Sequence, residues 1–150
     1  MKSAAALPRA SGAYSGATFA CLAIGSLGFM IGLWNATMEL NEKGYYFTLL
    51  AFGLYAAVSL QKCLRDKSDN IPISSTFLGI SFLAVGLSLL LLVIGLWNAT
   101  LLLSEKGYYG MSFVLALFSA VTVQKNTRDN AAGNSTPAAV FSNTAPGADE

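Results

Sequence analysis

The sequence predicts an all-α membrane protein in which four transmembrane helices form two tandem helical hairpins. Two observations lead to this prediction. Hydrophobic residues make up 54% of the 150-residue chain and charged residues only 11%, whereas soluble domains carry about 25% charged residues. The heptad IGLWNAT also occurs twice, at 31–37 and at 94–100. We therefore expect two copies of a two-helix unit.

The repeat extends well beyond the heptad and divides the chain. IGLWNATMELNEKGYY aligns without gaps with IGLWNATLLLSEKGYY, and LQKCLRD further along aligns with VQKNTRD. The tail is rich in small and polar residues and is expected to be disordered. The predicted segments are a cytoplasmic N-terminal segment (1–15), a first two-helix unit (16–66), a cytoplasmic linker (67–72), a second two-helix unit (73–129) and a disordered cytoplasmic tail (130–150).

Each unit contains two apolar stretches that can cross a bilayer. The third stretch, TFLGISFLAVGLSLLLLVIGLW, reaches the required length of about 20 apolar residues on its own. The second and fourth are shorter, but tyrosines at their starts can sit at the interface and Lys62 and Lys125 at their ends can snorkel. A cleaved signal peptide would explain the first stretch but not the second copy of its heptad. The stretches are 16–34, 45–60, 73–97 and 108–123.

Basic residues predict the orientation. Seven of the nine lysines and arginines flank the N-terminus, the linker and the end of the fourth stretch, whereas only Lys43 and Lys106 lie in the hairpin turns. The positive-inside rule then places both termini in the cytoplasm. Because both units enter the membrane in the same direction, we expect a pseudo-two-fold axis along the membrane normal to relate the two hairpins.

The repeated motif is expected to build the hairpin turns. Its tryptophans belong to the interfacial aromatic belt, and Asn41 and Ser104 are predicted N-caps of the returning helices. The glutamates beside them fall in the first turn, where the helix dipole favours a carboxylate. The predicted motif residues are Trp34, Asn35, Asn41, Glu42, Gly44 and Tyr45 in the first unit and Trp97, Asn98, Ser104, Glu105, Gly107 and Tyr108 in the second.

Three roles stay open for Asn35 and Asn98. A left-handed asparagine could cap the first helix of each hairpin, or the amides could form hydrogen bonds between helices. In the third role they would form a polar cluster with Glu42 and Glu105 that receives a solute or a partner at the mouth of the bundle.

Small residues predict where the helices meet. Gly53 and Ala57 lie on one face of the second helix, and Ala116 and Ala120 lie on the matching face of the fourth. Helices in lipid associate by close van der Waals approach, which small residues permit. We expect these two helices to cross near Ala57 and Ala120, with the first helix packed at the periphery through Gly28 and Gly32. Alternatively, the same faces form an interface between two copies of the chain.

The tandem GLWNAT, EKGYY, QK and RD pattern resembles the YiaA/YiaB family of bacterial inner-membrane proteins, which are built from such a two-helix unit. The resemblance covers roughly 17–129. It implies a location in the bacterial inner membrane. It implies no reaction and assigns no catalytic residue to any position.

The residue types favour some classes of function over others. With no histidine and only two well-separated cysteines, we predict a protein that is not an enzyme, with no catalytic residues, no metal site and no cofactor. A net charge of +1 without a basic stripe argues against nucleic acid as a partner. The favoured class is a structural or interaction protein, such as an envelope-stress component or an accessory subunit. Its expected partners are the lipid bilayer and either a second copy or another membrane protein.

A small solute transporter or channel, acting as an oligomer, is the alternative class. Coupled transport usually requires ionisable residues at membrane depth. The charged residues of this chain all fall in loops, tails or helix ends.

Overall fold

The computed structural model describes residues 11–134 of the chain, and this part consists of four α-helices. All four are long and apolar enough to cross a membrane, which confirms the predicted all-α architecture. The helix limits differ from the predicted unit boundaries by a few residues, because the first helix starts at 12 rather than 16, the second ends at 68 rather than 66, the third starts at 75 rather than 73 and the fourth continues past 130. Most of the predicted N-terminal segment, and the tail beyond 134, lie outside the described residues. The helices are α1 (Gly12–Asn35), α2 (Leu40–Ser68), α3 (Ser75–Asn98) and α4 (Leu103–Asn134).

A Schellman turn ends α2 and leads into the linker before α3. Asn70 has a φ of 57°, a left-handed conformation that asparagine tolerates better than most residues. Its backbone N–H donates to the Lys67 carbonyl at 3.3 Å, and the Ile71 N–H donates to the Asp66 carbonyl at 2.9 Å. These two bonds satisfy carbonyls that the helix end would otherwise leave free.

The helices of one unit do not pack mainly against each other. The most extensive contact of α1 is with α4, and that of α3 is with α2. α2 and α4 also meet, whereas α1 with α2 and α3 with α4 touch only slightly. Each first helix therefore packs on the second helix of the other unit, and we call this arrangement interlocked. The two turns lie at the hairpin end of the bundle, and the α2–α3 linker lies at the linker end.

Gly25 brings α1 directly against the backbone of α4. A Cβ atom at this position would lie 2.7 Å from the backbone nitrogen of Ala116 and 3.1 Å from the carbonyl oxygen of Ser112. Backbone atoms cannot turn aside as a side chain can, so the approach requires glycine. The expectation that the first helix packs at the periphery is therefore wrong, although the predicted contact residues Gly28 and Gly32 do face Tyr108 of α4.

The four residues predicted to mediate helix packing are all buried, but they serve different contacts. Gly53 faces Phe113 of α4, and a Cβ there would lie 2.6 Å from the ring. Ala116 lies beneath α1, at the close approach just described. Ala57 and Ala120 are 6% and 9% exposed. That α2 and α4 cross near these two alanines stays a prediction.

All four helices contribute residues to one core. Phe29 of α1 and Phe113 of α4 are fully buried, with ring centroids 6.0 Å apart. Leu50 of α2 and Leu92 of α3 are also buried in this core. The outer faces carry large exposed apolar side chains, such as Phe118, as expected for helices that are apolar all round and surrounded by lipid.

Candidate functional site: the hairpin end of the bundle

The repeated asparagines form side-chain hydrogen bonds at the ends of the two outgoing helices. Asn35 Nδ2 donates to the carbonyl oxygen of Ile31 at 2.8 Å, and Asn98 Nδ2 donates to that of Ile94 at the same distance. Neither asparagine has a positive φ, so the left-handed version of the predicted cap is wrong. The amide instead adds a second hydrogen bond to a carbonyl near the end of the helix, which also accepts the backbone N–H four residues on.

A lysine from each turn reaches back to the same helix ends. Lys43 Nζ donates to the Trp34 carbonyl at 3.1 Å, and Lys106 Nζ donates to the Trp97 carbonyl at 3.4 Å. A cation is favoured at a helix C-terminus, where the dipole and the free carbonyls are negative. Sequence reasoning missed this role. Its signal is the identical nine-residue spacing between tryptophan and lysine in both units.

The glutamates of the EKGYY segment cap the returning helices. Glu42 Oε2 accepts from the backbone N–H of Glu39 at 3.1 Å, and Glu105 Oε2 accepts from that of Leu102 at 2.8 Å. Each carboxylate also lies in the first turn, where the helix dipole favours negative charge. Both glutamates therefore lie in the first turn of the helix, as predicted, and each accepts a hydrogen bond from the backbone there.

The predicted N-caps are wrong by two residues. α2 begins at Leu40 after an N-cap at Glu39, so Asn41 lies inside the first turn. α4 begins at Leu103, so Ser104 does too. The physical reason is that a glutamate at the third helical position bonds back to the N-cap backbone. A helix with that bond can start without a capping serine or asparagine.

Four tyrosines, which we call the tyrosine row, run across the hairpin end from one unit to the other. The rings of Tyr46 and Tyr109 stack at 6.2 Å with an interplanar angle of 20°. Tyr45 packs edge-on against Tyr46 at 5.2 Å, and Tyr108 against Tyr109 at 5.6 Å. The two inner rings hold equivalent places in the repeat and are each only 4% exposed.

The outer tyrosines of the row bond to the opposite unit. The Tyr45 hydroxyl donates to the Leu91 carbonyl of α3 at 2.6 Å, and the Tyr108 hydroxyl donates to the Gly28 carbonyl of α1. Leu91 and Gly28 occupy equivalent positions in the repeat. The same bond is therefore made twice, each time between units.

The glycine of each GLW segment makes room for these rings. A Cβ at Gly32 would lie 2.6 Å from Cε1 of Tyr108, and a Cβ at Gly95 would lie 2.8 Å from Cε1 of Tyr45. The repeated GLW and GYY segments are thus matched between units. Nothing in the structure explains the other repeated glycine, at 44 and 107, because a Cβ there would meet no atom within 4 Å.

One cleft at the hairpin end brings some of the predicted residues together. It has a volume of about 330 Å³ and is lined by residues of both units, namely Gly32, Asn35, Ala36, Ser104, Glu105, Tyr108 and Tyr109. Neither Asn98 nor the first-unit glutamate lines it. Asn35 and Glu105 each already hold a bond within the chain. That the cleft receives a solute or a partner stays a prediction.

A matching pair of polar contacts lies toward the linker end. Asn126 Nδ2 donates to Thr18 Oγ1 at 3.3 Å, and Cys63 Sγ lies 3.5 Å from Ser81 Oγ in the equivalent place. Both contacts join a first helix to the second helix of the other unit. Sequence reasoning missed them, although the four positions align in the repeat. In residues 11–134, no group of three or more histidine, cysteine, aspartate or glutamate residues could hold a metal ion.

Comparison with known proteins finds related membrane proteins in two bacteria. The family described as "yiaA/B two helix domain" matches the chain twice, at 14–66 and 77–129. "Inner membrane protein YiaA" of Escherichia coli (strain K12) is 52% identical over 119 residues, which is 79% of this chain and 82% of that protein. "Uncharacterized membrane protein YubF" of Bacillus subtilis (strain 168) is 44% identical over 43 residues, 28% of this chain and 49% of that protein. No solved structure gives a significant match.

Proposed function

The chain belongs to the yiaA/B two helix domain family, and from this membership we propose that it is an integral inner-membrane protein of structural or interaction type. The location is supported by the Escherichia coli relative, which is named as an inner membrane protein. Four helices of spanning length and composition support the multi-pass arrangement.

The observation that carries the proposal is where the polar atoms of the repeated motif bond. Asn35, Glu42, Lys43 and Tyr45 each bond to backbone within the chain, and their counterparts in the second unit do the same. These bonds end helices, begin helices or join the two units. The motif thus helps to build the bundle, and it is repeated because each of the two units forms the same turn and the same contact with the other unit.

The distribution of charge favours this role over coupled transport. Within the described helices, no Asp, Glu, Lys or Arg occurs at 12–34, 45–61, 75–97 or 108–124. Proton- or ion-coupled transporters usually place an ionisable group at membrane depth, since a change of charge there couples the two movements. A channel or solute transporter remains the second candidate, favoured by the cleft that Asn35 and Glu105 line.

We further propose that a pseudo-two-fold axis along the membrane normal relates the two units. The paired tyrosine bonds and the stacked Tyr46 and Tyr109 support it, since equivalent residues make equivalent contacts. Basic residues such as Lys62 and Lys125 gather toward the linker end. By the positive-inside rule that end, with both termini, is cytoplasmic and the hairpin end is periplasmic.

Reconstitution into liposomes tests the function. Purified protein should give proton and potassium fluxes equal to those of protein-free liposomes. Chemical cross-linking in the native membrane should yield a second copy or one defined membrane protein in fixed ratio to the chain. If the protein gives a flux above the protein-free level and this flux disappears in Glu105→Gln, the structural role is rejected and transport is supported. Ser104→Ala, which alters the same cleft without removing charge, is the matched control.

A further inference from the structure

We infer that the inner face of each two-helix unit is a selective docking surface whose occupant is an unlike unit, here the other unit of the same chain. This inference rests on the proposed axis that makes the two units equivalent in position. The units have equivalent contacts but different residues at the closest approaches. Those differences allow the first unit to pair with the second and disfavour pairing of either unit with its own kind.

The contact between α1 and α4 is too close for the residues that α3 carries. Gly25 and Gly28 of α1 correspond to Ser88 and Leu91 of α3. A Cβ at Gly25 would lie 2.7 Å from the backbone of Ala116, and a Cβ at Gly28 would lie 3.3 Å from the Tyr108 hydroxyl. In a pair of two second units, α3 would take the place of α1. Its serine would then overlap the backbone of α4 and force the helices apart.

Pairing of two first units fails for the opposite reason. Ser88 is fully buried against its neighbours, and Leu91 packs against the core. In such a pair, glycines would stand in both places and leave voids, which close-packed interiors tolerate poorly. In such a pair α2 would also take the place of α4. Leu50 would then stand where Phe113 stands in this chain, and Phe29 would lose a ring contact.

A separate observation suggests that such a unit also occurs alone. The 43 residues matched in the Bacillus subtilis relative are 49% of its length, so the whole of that protein is shorter than the two matched stretches of this chain together. In a lone two-helix unit this surface would have no second unit of the same chain to pack against. In this chain the surface is filled internally, and any other membrane partner must bind the outer faces.

Disulfide mapping in the full-length chain tests the inference. The parent chain carries Cys21→Ala, Cys63→Ala, Thr18→Cys and Asn126→Cys, with a protease site inserted in the 69–74 linker. Thr18 and Asn126 side chains are 3.3 Å apart, so oxidation in the membrane should join the two units. After cleavage, the halves should migrate together without reductant and separately with it. A chain with Cys21→Ala, Cys63→Ala, Thr18→Cys and Ser81→Cys is the control whose halves should separate, because its cysteines lie on α1 and α3, which do not contact each other in the described residues.

Two further substitutions in this parent test selectivity. Gly25→Ser introduces the residue that α3 carries and should lower the yield of the disulfide about ten-fold, the result of overpacking by about 1.4 kcal/mol. Ser88→Gly, at the equivalent position, should leave that yield nearly unchanged, because it alters only the α2–α3 contact. A parallel chain shows whether the Gly25→Ser variant still folds. It combines Gly25→Ser with Ser81→Cys and native Cys63, and it should retain the disulfide between α2 and α3.

The possible failures are distinguishable. If neither the parent chain nor the parallel chain with Ser81→Cys forms its disulfide, the interlocked bundle and the proposed axis are both rejected. If both chains form their disulfides but Gly25→Ser gives the same yield as the parent, the interlocked bundle is retained and the selectivity of the docking surface is rejected. Products of twice the chain mass before cleavage would show that the occupant is a unit of another chain, which overturns the assignment to the same chain.

Discussion

Replacement of Phe113 by alanine is the sharpest stability test of the core. The ring is fully buried between α1 and α2 and contacts Phe29. In soluble proteins such a change costs about 3 to 5 kcal/mol, the sum of a transfer and a cavity contribution. The transfer contribution, about 1.5 to 3 kcal/mol, largely disappears here, since lipid is as apolar as the core. The remaining cavity contribution should lower the free energy of unfolding by about 1.5 to 2 kcal/mol.

Phe118→Ala is the matched control on the same helix. Phe118 is 69% exposed and faces the surroundings in the folded protein, so its removal leaves no cavity and should change stability by less than about 0.5 kcal/mol. Unfolding in mixed micelles of mild detergent and dodecyl sulfate measures both free energies. The Phe113 variant should shift the unfolding equilibrium roughly ten- to thirty-fold. Equal losses for the two variants, or a larger loss for Phe118→Ala, would refute the placement of α4.

Three other predictions concern the motif and the topology. Glu105→Ala should lower the free energy of unfolding by about 0.5 to 2 kcal/mol, because the Leu102 N–H loses its acceptor, whereas Ser104→Ala should stay within about 0.5 kcal/mol of the parent; the opposite order would restore the serine cap. Tyr108→Phe should cost about 0.6 kcal/mol, as the Gly28 carbonyl loses its donor from the other unit, and an unchanged melt would show that this bond is not formed. Reporter fusions in the linker and at the C-terminus should read cytoplasmic and a fusion in the first turn periplasmic, and reversed readings would invert the topology.

The number, type and approximate limits of the helices could be predicted from the sequence. An apolar run of spanning length has few alternatives in structure, and an ungapped repeat requires two similar units. The caps were harder to locate. Asn41 and Ser104 have the composition of N-caps, but the glutamates that follow satisfy the backbone two residues earlier. Side-chain preference alone cannot rank two caps that compete for one helix start.

The pairing of the helices could not be predicted from the features considered, because a hairpin packed on itself and an interlocked pair have the same apolar pattern. The difference depends on which small residues meet. The predicted packing used Gly28 and Gly32 but not Gly25, which lies on the same face of α1, and the run of three glycines at i, i+3 and i+7 was the available signal for close packing. The matching face of α3 keeps only Gly95 of the three. Small residues are common in membrane helices, so the pattern alone does not name the partner helix.

The most direct test of the interlocked arrangement is a disulfide between α2 and α3. Ser81→Cys in a Cys21→Ala chain places a thiol opposite native Cys63, where Ser81 Oγ and Cys63 Sγ are now 3.5 Å apart. After oxidation in the membrane and cleavage of a protease site in the linker, the interlocked arrangement predicts that the two halves migrate together until reductant is added. Halves that separate without reductant, together with a disulfide between Cys63 and Thr18→Cys in the first unit, would show that each hairpin packs on itself and would contradict the arrangement.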